Sequence, residues 1–150
     1  MTDLVLAIAH HLTVFTLAGL LIAEVALLRP GLSPERIRQL GAIDMAYGIV
    51  AVLIIIVGVL RVGFGDRGGY YYIHNWAFWL KMAAFVLVGL LSVPPTIAIL
   101  GWRRKVAADP SFSPDDATVT GLRRFYIGEI VAFAFIPAFA AAMARGYGIM

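Results

Sequence analysis

The chain has 150 residues, 61% of them hydrophobic and 14% charged, with no cysteine and a mean hydropathy of +0.89. A water-soluble domain is closer to half apolar and a quarter charged, so this composition points away from water. Four long apolar stretches leave too little chain for a Rossmann domain, a phosphate loop or a nucleic-acid module. The missing cysteines exclude disulfides, thiolate metal sites and covalent c-type haem attachment.

The first apolar stretch covers residues 4–28. Met1-Thr2-Asp3 carries no basic region ahead of it, and the run is too long for a signal-peptide core, so a retained span is expected. Arg29-Pro30-Gly31 ends it, and Ser33-Pro34-Glu35 reads as a cap and first turn leading to the second stretch, 40–64. Gly65-Asp66-Arg67-Gly68-Gly69 and the run Tyr70 to Trp76 lead into the third, 77–100. Ser113-Pro114 marks a helix start before the fourth, 122–144. Each stretch reaches the ~20 residues needed to cross a bilayer core. Short links between such spans give an all-α, up-down-up-down integral membrane four-helix bundle, one domain over 1–150.

The net charge of +3 is a matter of topology. Arg29, Arg36 and Arg38 lie in the first connection, and Arg103, Arg104, Lys105, Arg123 and Arg124 bracket the third. The opposite side has Arg67 and Arg145, with Arg61 and Lys81 just inside helix ends. The positive-inside rule puts connections one and three in the cytoplasm and both termini in the periplasm of a bacterial inner membrane. No nucleic-acid partner is expected. Small residues such as Gly48, Gly58 and the Ala140–Ala142 run predict close helix contacts and a homodimer in the bilayer.

Ionisable residues inside spans are functional suspects. His10 and His11 sit about two turns into the first span, and Arg61, Lys81 and His74 belong to the same outer half. Adjacent helical positions diverge by ~100°, so the paired histidines cannot serve one iron alike. Hydrogen bonding to carbonyls or hydroxyls is the structural alternative for each ring. Zinc wants more donors than this set supplies, whereas a haem needs one or two imidazoles, an apolar slot and cations for its propionates. The residues point to haem b, one or two per chain, with His10, His11 and His74 as candidate iron ligands. His11 is favoured because it stands over the Ala18–Gly19 groove. Arg61, Lys81 and Trp76 are the candidate cofactor-binding residues. Trp79 and Tyr71 are candidates to carry oxidising equivalents, although anchoring at the headgroups is the ordinary role of interfacial aromatics.

A second group lies toward the other side: Glu24, Asp44 and Glu129, with Arg123 and Arg124 nearby. Pairing of Glu129 with those arginines is one reading, and a proton route or quinone-binding acid is the other. Glu24 shares the His10 face at heptad spacing, ~21 Å further along the helix, and is a candidate proton carrier.

Ala9-His10-His11-Leu12, Ala18-Gly19-Leu20 and Trp76-Ala77-Phe78-Trp79-Leu80-Lys81-Met82 resemble a family of small bacterial four-span membrane proteins catalogued as domain of unknown function 2214. A looser similarity runs to the membrane protoporphyrinogen oxidase of bacteria, a haem-binding four-span protein, and to the copper-resistance D-type membrane domain. Aligned on Lys81, Trp79 stands where the oxidase has its second histidine, and the nearest histidine is His74. Residues and resemblance together imply haem redox work at the outer side, between a lipid quinone or another donor and oxygen, superoxide or peroxide. A protoporphyrinogen oxidase-like enzyme and a non-enzymatic metal or ion transport or scaffold subunit are the alternatives.

Overall fold

A computed structural model describes residues 1–65 and 68–149; Asp66, Arg67 and Met150 lie outside the described residues, and with them the topological reading of Arg67. Five helices follow in chain order: α1 (Thr2–Leu27), α2 (Pro34–Phe64), α3 (Gly68–Ile73), α4 (Trp76–Ala108) and α5 (Asp116–Ala144). All but α3 are long and apolar enough to cross a membrane, and the architecture is an all-α membrane bundle. Lipid holds no hydrogen-bonding solvent, so a helix, which satisfies its own backbone, is the form such stretches must take.

The helices overrun the apolar stretches because their caps lie in the polar links. Ser33 accepts from the Arg36 amide at 3.3 Å with Pro34 in the first turn, which starts α2 well before residue 40. Asn75 accepts from the amides of Ala77 and Phe78 and opens α4. The fourth span starts at Asp116 rather than at the expected Ser113-Pro114. Asp115 supplies the cap, accepting from Ala117 and Thr118, while the Ser113 hydroxyl is diverted to the Leu32 carbonyl at 2.9 Å. In its interior α4 remains helical through Pro94 and Pro95.

Two sets of contacts fix which ends lie together. The first connection meets the third: the Gly31 amide donates to Asp116 at 2.8 Å, with Gly31 in the left-handed region at φ 74°. At the opposite end the chain after α5 folds onto the start of α4. Trp76 donates its amide to Gly148 at 2.9 Å, and the Asn75 amide side chain reaches the Tyr147 carbonyl at 3.2 Å.

Outward faces carry exposed Phe15, Ile22, Val52, Leu90, Ile97 and Phe135, a surface suited to hydrocarbon. Inward faces form a stripe on each helix. On α1 it is His10, Leu17, Leu21 and Glu24; on α2, Asp44, Tyr47, Ile54, Gly58 and Arg61. Spacings of three, four and seven put these positions on one side of a helix. Each stripe is apolar in the middle, where Leu17, Leu21, Ile54, Val88 and Ala132 are buried. Polar groups occupy its ends.

Candidate functional site

The helices pack as α1 on α2 and α4 on α5, with α2 joining the pairs and α1 meeting α5 sparsely. That open seam becomes a cavity of about 540 Å³ in the half containing the chain termini, lined by His10, His11 and Phe15 of α1, Arg61 of α2, Lys81 of α4 and the Ile136–Ala144 end of α5. A second cavity of about 430 Å³ opens between α2 and α4, past Ile55, Val59, Phe78 and Met82. Both share His10, Val14, Gly58, Lys81, Phe133 and Ile136. Along these residues the two cavities adjoin as a lateral passage, each within the size range of small-molecule pockets.

Gly58 makes the passage possible. A Cβ there would lie 3.8 Å from Cε1 of His10, so any longer side chain would fill the space beneath the imidazole. Two polar atoms of the passage lack partners among the described residues. Nδ1 of His10 and Nε of Arg61 are buried without a hydrogen bond, and the Lys81 ammonium lies 5.4 Å from the centroid of the Phe78 ring. Among the described residues no acidic side chain forms an ion pair with Arg61 or Lys81. Both cations are half-buried, and a partly desolvated cation without a counter-charge carries a cost, so the passage suits an anionic group.

The two histidines differ as their divergence requires: their rings stand 6.4 Å apart at 85°. Nδ1 of His11 lies 2.6 Å from the Ala7 carbonyl. A carbonyl only accepts, so Nδ1 carries the proton and Nε2 keeps its lone pair, the arrangement that prepares an imidazole for a metal.

At the other end Glu24, Asp44 and Glu129 are buried at 2%, 8% and 0% exposure. The Tyr47 hydroxyl donates to Glu129 at 3.3 Å, and Thr96 donates to Asp44 at 2.6 Å. Arg123 does not pair with Glu129, because its guanidinium caps the end of α1 through the carbonyls of Val25 and Leu28. Arg103 covers Gly41, where even a Cβ would collide with its side chain.

The structure thus brings together His10, His11, Arg61 and Lys81 from the expected set. It does not bring the others to the passage. His74 does not line it: its ring stacks on Tyr70 at 3.9 Å and its Nδ1 donates to the Tyr70 carbonyl at 3.0 Å. The Tyr71 hydroxyl donates to the Met143 carbonyl at 2.7 Å, and the Trp79 indole donates to the Ile73 carbonyl at 3.0 Å. Trp76 is exposed at the start of α4, and Glu24 belongs to the opposite end. Among the described residues no three acidic, histidine or cysteine side chains are gathered tightly enough to hold a metal ion. Tyr72, one of the tyrosines expected to close the edge of the pocket, does line the passage; sequence reasoning missed Phe133 and Pro137 as lining residues and Tyr47, Thr96 and Tyr126 beside the carboxylates. The signal for the two tyrosines was their spacing of three from Asp44 and Glu129.

Residues 2–148 match the family described as predicted membrane protein (DUF2214), and the chain belongs to that family. No curated protein and no solved structure matches it.

Proposed function

We propose that this member of the DUF2214 family is a b-type haem-binding redox protein of a bacterial inner membrane, with both termini periplasmic. The observation that carries the reading is the lateral passage, which combines apolar walls, a pre-oriented imidazole on His11 and two cations that no acid among the described residues pairs. These residues fit the group. His11 would hold the iron through Nε2, and Arg61 and Lys81 would take the propionates by charge-assisted hydrogen bonds. His10, beside Gly58 with an unpartnered Nδ1, would meet a propionate or hold a proton. Bound there, haem supplies one-electron chemistry.

The chain's own contribution is placement. Phe85 and Phe133, at the apolar waist, would keep water from the inner side, and the mouth between α2 and α4 opens to lipid, where a quinone donor travels. The oxygen species would arrive from the terminal side, where Tyr72 and Met143 line the passage. Gly48, exposed with open space around it, supports a homodimer through α2; Gly58 is committed to the passage instead.

The test is an absorption spectrum of the protein purified in mild detergent after haem supply. A Soret band is expected in wild type, lost or shifted in His11→Ala and retained in His74→Ala, whose ring lies outside the passage. Wild type without a Soret band would overturn the reading.

A further inference from the structure

The carboxyl cluster at the opposite end is a separate problem, and its solution does not depend on haem. Glu24 comes from α1, Asp44 from α2 and Glu129 from α5, so three helices each bring a buried acid to the same end of the bundle, within electrostatic reach of one another. Among the described residues none of the three forms an ion pair. Oε1 of Glu24 and Oε2 of Glu129 are buried without hydrogen-bond partners. An independent group points at the same place. Tyr126, 1% exposed, has a buried hydroxyl with no partner and lies within electrostatic reach of all three acids and of Tyr47.

Several uncompensated carboxylates in an apolar bundle would cost many kcal/mol, on the order of several for each ion. Something positive must therefore join them. No nearby side-chain cation pairs with them: Arg123 caps α1, and Arg103, lying over Gly41, acts on Asp44 without reaching ion-pair distance. A metal ion needs several oxygens within a short radius, and no such gathering exists among the described residues. A proton needs only one oxygen to hold it and one neighbour to receive its hydrogen bond.

We infer that Glu24, Asp44 and Glu129, assisted by Tyr47 and Tyr126, form a proton-binding site that meets water through Asp44 beside Arg103. Uptake is a simple exchange in which a carboxylate oxygen takes a proton from hydronium and releases water. Asp44 is the entry because it is the least buried of the three and its partner Thr96 is only half-buried. Leu17 and Leu21, 1% and 2% exposed, stand between Glu24 and His10 on α1 and separate this site from the passage. The site belongs to the end that carries the basic connections.

Two measurements on the full chain test this. Dicyclohexylcarbodiimide, which attacks protonated carboxyls in apolar surroundings, is expected to label Glu24 or Glu129 of the wild-type protein in lipid, as read by peptide mass mapping. This arm needs no variant and so no assumption about folding. Infrared difference spectra between alkaline and mildly acidic buffer are expected to show a protonated-carboxyl band. Glu24→Gln or Glu129→Gln should remove it, Tyr126→Phe should shift it, and Asp44→Asn should slow its appearance after a pH jump. Absence of both label and band would overturn the inference. So would a rise in thermal midpoint on adding sodium or calcium chloride that Glu24→Gln abolishes, since the site would then hold a metal ion.

Discussion

The passage beneath Lys81 and the carboxyl cluster beside Tyr126 are both polar places in an apolar bundle, yet one is hollow and the other packed. Where α1 and α5 part, two cations and two imidazoles face a space of about 540 Å³. Where Arg123 ties α5 to the end of α1, the acids are buried, with Asp44 the least so. Unbalanced charge is common to both ends, and what differs is the size of the counter-ion each can admit. A hollow basic site has room for a large anion, and a packed acidic one has room for a proton. The waist of Leu17, Leu21, Ile54 and Val88 lets one short bundle hold both without their neutralising each other.

Breaking the waist should have the largest effect. Leu17→Ala with Leu21→Ala leaves a void between the two sites and is expected to cost about 2–5 kcal/mol for each leucine, the range for a single buried truncation. Thermal unfolding in one detergent reads it. An unchanged midpoint would mean that the waist is not a packed barrier. The double variant should also make any chromophore in the passage respond to Glu24→Gln, which wild type should not.

The next effect lies within the basic site. Arg61→Gln and Lys81→Gln each remove a charged donor, worth about 1.5–3 kcal/mol toward an anion. Haem affinity in a titration should fall about ten- to a hundredfold for each. The same substitutions should leave the infrared carboxyl band of the other end in place. Equal affinity in all three proteins would remove the propionate role from these residues.

Gly58 gives a smaller and opposite-signed test. An alanine Cβ would meet Cε1 of His10 at 3.8 Å, an ordinary contact, and alanine gains up to about 1 kcal/mol over glycine inside a helix. Gly58→Ala should therefore raise the thermal midpoint slightly and keep most of the haem binding. Gly58→Leu should abolish binding by filling the passage. If both variants bind alike, the ligand does not approach the backbone at Gly58.

The bundle was legible in the sequence because bilayer thickness sets a length that four apolar stretches meet. Their ends were less so, since capping by Asp115 or Ser113 depends on which loop carbonyl competes for the side chain. The basic half of the passage was legible as well: His10, His11, Arg61 and Lys81 are conspicuous ions in apolar runs. The position of His74 was not, because a six-residue helix, α3, turns its ring onto Tyr70 instead of inward. Nor was the contribution of α5 to the passage legible. The Ala140–Ala142 run stood out only as a small-residue face suited to helix contacts, and the sparse contact between α1 and α5 turns it into a wall.

Asp115 supplies the smallest effect and a reference for the buried acids, because it is a carboxylate at the same end of the bundle but in water. Hydrogen bonds from the Thr118 hydroxyl, and then from the amides of Ala117 and Thr118, hold its pKa below the usual aspartate value. A folded-state pKa below the unfolded one means that the cap contributes stability above about pH 3.9, the ordinary aspartate value. That contribution fades as pH falls through the lowered folded-state value. Wild type should thus unfold at a slightly higher temperature than Asp115→Ala at neutral pH, with the gap closing in strong acid. Exposure keeps the gap small, because water screens the charge. A gap that widened on acidification would reverse the sign of the argument, and would show that Asp115 behaves like the buried trio rather than as their solvated counterpart.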